Sequence, residues 1–223
     1  MARASLFVLD TGPLITLAAA DSLDYLLYPN VPVIIPDAVF YEATRDSAKL
    51  GAQSIMDWVK AHHNHVEIAV TNAYVNFDTA RIVNPQAYEP NLGERAAVEV
   101  IEEPERLQDD EKAILLCEET AVTRRVIVRE RDKIIELSTM DFLKLLESEQ
   151  RIQSADAVFD RALAAGRHAS RMEKSASMIF RCAKECGILC EPRDAIPPQS
   201  AETKGAGGAR PHGVSAWSAA QTE

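Results

Sequence analysis

Short apolar or alternating runs are separated along the chain by longer segments in which apolar residues recur every three or four positions. The first pattern is typical of buried strands, and the second of helices that pack on one face. Strand patterns occupy residues 5–10, 31–36, 65–70, 113–117 and 133–137. Helical patterns occupy residues 13–28, 37–44, 47–62, 92–101, 120–131, 142–149 and 154–165. This alternation predicts an α/β fold, a three-layer α/β/α sandwich whose central sheet is mostly parallel.

Two stretches of the chain lack either pattern. Residues 71–90 are polar, with several asparagines and two prolines, and we expect a long loop with little regular structure. Beyond residue 192 the chain is rich in Pro, Gly, Ser, Ala and Thr, which predicts a disordered tail. We therefore expect one domain over residues 1–170, a helical extension over residues 171–191 and the tail over residues 192–223.

Composition narrows the class of protein. The 223 residues suffice for one domain with a sizeable core. A formal net charge of −10 argues against a generally basic nucleic-acid-binding protein, but not against a nuclease whose acidic pocket holds cations. The four cysteines do not form a disulfide framework, and no secretory signal precedes them, so we expect a reduced cytoplasm. No apolar run approaches the roughly 20 residues of a membrane span, so no membrane partner is expected.

Acidic residues stand where parallel strands end or where the following helices begin. They are Asp10 after the first strand, Glu42, Glu94, and Glu118 with Glu119 beside it. The carboxyl ends of parallel strands are where sites form in open α/β sheets. Clustered carboxylates repel one another, and hard divalent cations with oxygen ligands, such as Mg²⁺ or Mn²⁺, relieve that repulsion. Such cations can activate water for an in-line displacement at phosphorus, so the pattern is consistent with a phosphodiesterase.

The motifs that carry these acids resemble those of a known family. In chain order they are Val8-Leu-Asp10-Thr11, Ile35-Pro36 with Val39 and Glu42, Leu92-Gly-Glu94-Arg-Ala-Ala, and Leu115-Leu-Cys-Glu118-Glu119. Further matching segments follow at Arg124-Arg125-Val126, Leu137-Ser-Thr139, Phe142-Leu-Lys-Leu-Leu146 and the helix around Val158. Together, over residues 4–170, they resemble the PIN-domain family, specifically its DUF3368-like branch.

The resemblance implies a metal-dependent ribonuclease fold, often the toxin of a bacterial toxin–antitoxin pair. By position, the implied catalytic and metal-binding acids are Asp10, Glu42, Glu94 and Glu118, with Glu119 as the other candidate for the fourth place. Thr11 or Thr139 is implied to hold water or metal through its hydroxyl. Mg²⁺ or Mn²⁺ is the expected cofactor, and RNA, an antitoxin protein and a second copy of the chain are the expected partners. The family usually has Asp at the fourth position, where Glu118-Glu119 has longer side chains with a different reach.

Each acid also has a structural explanation. Asp10 could cap the helix that follows it, and Glu42 could be an ordinary solvated helix residue. Glu94 could stand in the first turn of its helix because its negative charge interacts favourably with the positive end of the helix dipole. Asp109 and Asp110 belong to the acidic connector after the fourth helix pattern, and they are alternative candidates for the fourth acid.

Three other groups of residues admit both a functional and a structural explanation. His62-His-Asn-His65 at a helix end suits a polar turn better than a metal site. Three cysteines are spaced four residues apart, Cys182, Cys186 and Cys190. Their spacing could serve a zinc or redox site, or they could simply pack as apolar residues. RNA phosphates or the acidic connector could pair with the basic group Arg124, Arg125, Arg129 and Arg131.

Three functions compete. A Mg²⁺- or Mn²⁺-dependent endoribonuclease fits the acids best, and a PIN-like binding module that has lost catalysis is the alternative, motivated by Glu118-Glu119 and the net charge. Phosphotransfer by an aspartyl nucleophile is disfavoured, because Gly12 stands where such phosphatases usually have a second Asp.

Overall fold

A computed structural model of the chain describes residues 3–118 and 133–169. The central sheet has five strands, which are β1 Arg3–Leu9, β2 Val33–Pro36, β3 Val66–Ala69, β4 Glu111–Leu116 and β5 Ile134–Leu137. Their order across the sheet is β3-β2-β1-β4-β5, and every neighbouring pair is parallel. The α-helices of the described residues are α1 Thr11–Ala19, α2 Asp37–Thr44, α3 Ala52–Ala61, α4 Asn72–Val83, α5 Leu92–Glu102, α6 Thr139–Ser148 and α7 Ala155–Ala164.

Helices cover both faces of the sheet, which confirms the predicted three-layer α/β/α sandwich. Along β1, Phe7 and Leu9 point into one hydrophobic cluster, whereas Leu6 and Val8 point into another. The first cluster contains residues of α1, α3, α6 and α7, and the second contains residues of α5. Because side chains alternate along a strand, a strand between two helical layers must be apolar at every position. The continuous apolar run of β1 therefore follows from its central place in the sheet.

The expected loop over residues 71–90 is wrong for most of its length, because Asn72–Val83 forms α4. Thr71 caps this helix by accepting a hydrogen bond from the Tyr74 backbone N–H, at 3.2 Å. The Thr71 hydroxyl also donates to Asp37 at 2.7 Å, which ties the helix start to α2. Ala73 and Phe77, four residues apart, are the buried residues of the helix. So narrow an apolar stripe gives a weak helical signal in the sequence, and packing against α2 and α5 supports the helix.

Helix boundaries differ from the predicted ones in three places. The pattern over residues 13–28 divides, because α1 ends at Ala19 and a separate 3₁₀ helix spans Leu23–Leu27. Asp21 lies between them with a φ of 52°, a left-handed conformation that interrupts a right-handed helix. α3 begins at Ala52, five residues later than predicted, and α6 begins at Thr139, three residues earlier. A capping box between Ser138 and Asp141 explains the early start of α6.

Several predictions concern residues outside the described ones. These are the basic helix over residues 120–131, Glu119, the segment with Cys182, Cys186 and Cys190, the helical extension and the tail. No helix in residues 3–118 and 133–169 has the length and apolar character needed to cross a membrane.

Candidate active site

The candidate site lies at the carboxyl edge of the sheet, where the chain leaves neighbouring strands. Asp10 directly follows β1, and its backbone N–H donates to the carbonyl of Leu116 in β4 at 2.9 Å. Glu118 follows β4 by two residues, and Thr139 follows β5 by two residues. β1 pairs with β2 on one side and with β4 on the other. The chain therefore builds the sheet to one side of β1 first, through β2 and β3, and then to the other side, through β4 and β5. A parallel sheet has its crevice at this kind of reversal in strand order.

Asp10 and Glu42 approach the same point above Gly93. A β-carbon built on Gly93 would lie 3.3 Å from Glu42 Oε2 and 3.6 Å from Asp10 Oδ1. Thr11, at the start of α1, donates its hydroxyl to the same Glu42 oxygen at 2.8 Å. The missing side chain of Gly93 thus leaves room for two carboxylates beside the first turn of α5, which also carries Glu94.

Asp10 occupies the N-cap position of α1, but its carboxylate makes no capping hydrogen bond. Its pKa is raised from 3.8 to about 7, mainly by burial and further by the negative charges of Glu94, Glu42 and Glu118. A hydrogen bond from the Thr11 backbone acts in the opposite direction without outweighing burial. Helix capping therefore does not explain the aspartate at position 10. Its carboxylate is instead buried close to the other predicted acids, whose negative charges raise its pKa further.

Glu118 has a different environment from the other acids, because hydroxyls and a cation hold both of its oxygens. Thr16 and Thr139 donate to Oε1, at 2.6 and 3.0 Å. Arg167 donates from Nη2 to Oε2 at 2.9 Å, forming an ion pair. A β-carbon on Gly12 would come within 2.9 Å of Glu118 Oε2, so only glycine leaves space for the carboxylate there.

Sequence reasoning missed Thr16 and Arg167. Thr16 is almost fully buried, and an apolar stretch of α1 surrounds it, so a hydroxyl in that stretch was the available signal. Arg167 gives no comparable signal, because it follows α7 and meets Glu118 only through tertiary packing. Thr11 and Thr139, which the resemblance implied would hold water or metal through their hydroxyls, donate those hydroxyls to the acids Glu42 and Glu118.

Other candidates lie in ordinary structural settings. Asp109 and Asp110 are in the turn that precedes β4, and both are exposed. His62 and His63 follow α3, and each contacts a backbone carbonyl of its last turn, those of Trp58 and Lys60. The polar-turn explanation fits this arrangement. Within the described residues, no three His, Cys, Asp or Glu side chains are arranged so that they could hold a metal ion.

The chemistry of the donors nevertheless suits a hard divalent cation. Asp10 and Glu42 offer carboxylate oxygens that face the space left by the missing side chain of Gly93. Glu94 lies beside Gly93 in the first turn of α5. Oxygen ligands of this type are those that Mg²⁺ and Mn²⁺ prefer, and both ions keep part of their water shell. The donor type of Asp10, Glu42 and Glu94 therefore suits such an ion, whereas the described residues do not bring three of these side chains into an arrangement that would hold one.

Comparison with known proteins gives one match. The DUF3368 family model, described as a PIN domain, matches residues 6–80. The matched segment contains Asp10 and Glu42, whereas Glu94 and Glu118 lie beyond it. No curated protein and no solved structure matches the chain significantly. Together with the five-stranded parallel sheet and its covering helices, this match over residues 6–80 supports the resemblance of the chain to PIN-domain proteins.

Proposed function

We propose that this protein is a divalent-metal-dependent endoribonuclease that hydrolyses RNA phosphodiester bonds at the acidic edge of its sheet. PIN domains are generally nucleases, and the family match supports that class of activity. The observation that carries the proposal is the environment of Asp10, a carboxylate whose pKa is raised to about 7 by burial and by three acidic neighbours. A bound cation would offset that repulsion and restore the ionised form of Asp10 at neutral pH.

In this proposal Asp10, Glu42 and Glu94 would hold Mg²⁺ or Mn²⁺. Such an ion would supply Lewis-acid stabilisation of phosphate oxygens and water activation at neutral pH. Thr11 holds the Glu42 carboxylate in place through its hydroxyl. Gly93 keeps the point between Asp10 and Glu42 open. The raised pKa of Asp10 makes activity dependent on pH, because a protonated carboxyl binds metal weakly.

The biological setting belongs to the same proposal. The resemblance to PIN-domain toxins supports a role as the toxin of a toxin–antitoxin pair, with an antitoxin protein and a second copy of the chain as partners. The cysteine usage supports action in the cytoplasm. A net charge of −10 gives the protein no general attraction for RNA. RNA binding would therefore depend on the bound cation and on local contacts.

A catalytically impaired binding module is the second candidate. The ion pair between Arg167 and Glu118 favours it, because the fourth acid already has a cationic partner. So does the lack, among residues 3–118 and 133–169, of three ligands arranged to hold a metal ion.

Cleavage of a labelled RNA pool separates the two functions. The purified chain should cleave RNA in Mg²⁺ or Mn²⁺, and excess EDTA should stop cleavage. Asp10→Asn should lose activity, because it removes a charged ligand while keeping the shape of the side chain. Asp57→Asn is the matched control, since Asp57 is exposed on α3 and accepts a hydrogen bond from Gln53. A folded protein that neither cleaves RNA nor binds Mn²⁺ would overturn the nuclease proposal.

A further inference from the structure

Two neighbouring helices each carry an aromatic residue that an arginine follows four positions later. Tyr41 lies in α2 and Arg45 directly follows that helix, whereas Phe77 and Arg81 both lie in α4. Residues four apart on a helix share a face, so each arginine lies next to its own aromatic residue. Tyr74, one turn before Phe77, adds a third ring. These five residues are called the aromatic–arginine surface below.

The three rings of this surface contact one another across the two helices. The ring centroids of Tyr41 and Tyr74 are 5.4 Å apart, and the Phe77 centroid lies 6.2 Å from each of them. Phe77 is buried in the small apolar cluster between α2, α4 and α5, whereas Tyr41 and Tyr74 are only partly buried. Phe77 therefore forms the floor of the surface, and the two tyrosines remain partly accessible to a ligand.

Both arginines lie over the ring of Tyr41. The guanidinium carbon of Arg81 is 5.1 Å from the ring centroid, and that of Arg45 is 5.6 Å from it. Arg81 is also 5.7 Å from the centroid of Phe77. Cation–π attraction at these distances orders a long side chain without using its N–H groups. Ordered guanidinium groups lose less conformational entropy when they bind a ligand.

The carboxylates around the surface compete weakly for these arginines. Asp78 lies 3.8 Å from Arg81, and the two side chains are 53 % and 34 % exposed. So long and hydrated an ion pair contributes little, and a phosphate can replace it at small cost. Asp37, at the start of α2, already accepts hydrogen bonds from the backbone and hydroxyl of Thr71. Arg45 is exposed.

The aromatic–arginine surface adjoins the acidic edge of the sheet. Tyr41 directly precedes Glu42 on α2. Leu92 belongs to the apolar cluster beneath the surface, and it directly precedes Gly93, which faces Asp10 and Glu42. The carboxylates of that edge repel a phosphate, so a polynucleotide needs cations beside the acids to stay there. The two arginines supply them.

We propose that the aromatic–arginine surface binds single-stranded RNA, with a base stacked on Tyr74 and phosphates held by Arg45 and Arg81. Aromatic rings and guanidinium planes bind the open faces of unpaired bases, and cations beside them follow the backbone. The inference rests on the proposed function for the class of ligand, and it adds the form of the strand and the residues that hold it. It requires no metal ion.

Fluorescence anisotropy of a labelled RNA tests the surface without cleavage. The full chain is titrated in EDTA into an RNA of about 12 nucleotides that cannot pair with itself, and into its duplex with the complementary strand. Wild-type protein should bind the single strand roughly tenfold more tightly, because the duplex hides the faces of its bases. Tyr74→Leu should lose roughly tenfold in affinity for the single strand, whereas Tyr74→Phe keeps the ring and should bind like the wild type.

The salt dependence of the affinity tests the phosphate contacts. The slope of log affinity against log salt is measured from about 50 to about 300 mM KCl, and Arg45→Gln and Arg81→Gln should each reduce its magnitude by about 0.7, the value for one phosphate contact on a single strand. Lys60→Gln is the matched control, because it removes one positive charge from an exposed position on α3 and should leave the slope unchanged. Tyr74→Leu should also leave the slope unchanged. Circular dichroism of each variant confirms that it is folded before the titration.

The outcomes distinguish the inference from the proposed function. Equal single-strand affinity in wild type, Tyr74→Leu and Arg81→Gln, or no RNA binding in EDTA, would overturn the inference, and RNA cleavage in Mg²⁺ by the same protein would still support the nuclease. The predicted losses of binding without any cleavage in Mg²⁺ would support the inference and refute the nuclease. If poly-glutamate matched the RNA in affinity and in its loss on Arg81→Gln, the occupant would be an acidic protein and the inference would be overturned.

Discussion

Replacing Asp10 with asparagine should stabilise the metal-free protein, and increasingly so as the pH rises. The pKa of Asp10 is raised from 3.8 to about 7, so between these values the folded protein keeps a proton that the unfolded chain releases. The folded state binds more protons than the unfolded state in this window, so the free energy of unfolding falls with rising pH until about pH 7. Asparagine has the same shape and carries no charge, so the variant lacks this loss.

The magnitude follows from the pKa difference. Each unit corresponds to about 1.4 kcal/mol, so the raised pKa of Asp10 lowers the free energy of unfolding by about 4 kcal/mol at pH 8, where the folded state must ionise it, and by about 1–2 kcal/mol at pH 5, where the folded state must keep it protonated. Urea unfolding followed by circular dichroism, in EDTA at each pH unit from 5 to 8, measures the two free energies. The advantage of Asp10→Asn over the wild type should widen across this range by about 2–3 kcal/mol.

Two comparisons sharpen the measurement. Asp57→Asn should follow the wild type at every pH, because Asp57 is exposed on α3. Addition of Mn²⁺ at pH 8 should raise the stability of the wild type much more than that of Asp10→Asn, because binding to the folded state alone is stabilising. An advantage of Asp10→Asn that stays constant or narrows from pH 5 to pH 8 would refute the argument from burial and repulsion.

Three further substitutions test the surroundings of the site. Gly93→Ala places a β-carbon 3.3 Å from both Glu42 Oε2 and Val39 Cγ2, so it should weaken Mn²⁺ binding by roughly tenfold in a titration, and unchanged binding would contradict a role for the open space beside Gly93. Ser138→Ala removes the cap of α6 and should lower the free energy of unfolding in urea by about 1 kcal/mol; an unchanged value would contradict the capping box. Gly166→Ala meets no neighbouring atom but strains a φ of 93° at the end of α7, so it should lower the free energy of unfolding by about 1 kcal/mol in thermal melts, and no loss of stability would argue against a left-handed conformation at Gly166.

The fold was largely predictable from local patterns, because the sheet buries its central strands on both faces. β1 and β4 lie in the middle of the sheet, and their continuous apolar runs could be identified without tertiary information. α4 could not, because only Ala73 and Phe77 of its residues are buried. Residues of α2 and α5 complete the small apolar cluster around Ala73 and Phe77. The sequence of α4 alone does not reveal these partners.

The candidate site divides in the same way. Asp10 was predictable, because a buried strand that ends on a carboxylate delivers that carboxylate to the edge of the sheet. The surroundings of Glu118 were not predictable, because its partners Thr16 and Arg167 are 102 and 49 positions away in the chain. Nothing in the local sequence of either partner indicates a shared carboxylate, and the packing of α7 against α1 brings them together.

Arg167, the cationic partner of Glu118, also donates from Nη2 to the carbonyl of Gly12 at 3.4 Å, and this contact bears on the order in which the domain folds. It joins residues 155 positions apart, so it requires closure of almost the whole described chain. Long-range contacts of this kind carry the largest loop-closure entropy and depend on the formation of the elements between them. The sheet edge and its carboxylates can assemble first, with Glu118 still lacking its arginine. We therefore expect Glu118 to gain its arginine late in folding, when α7 docks and the acidic edge reaches its final charge balance.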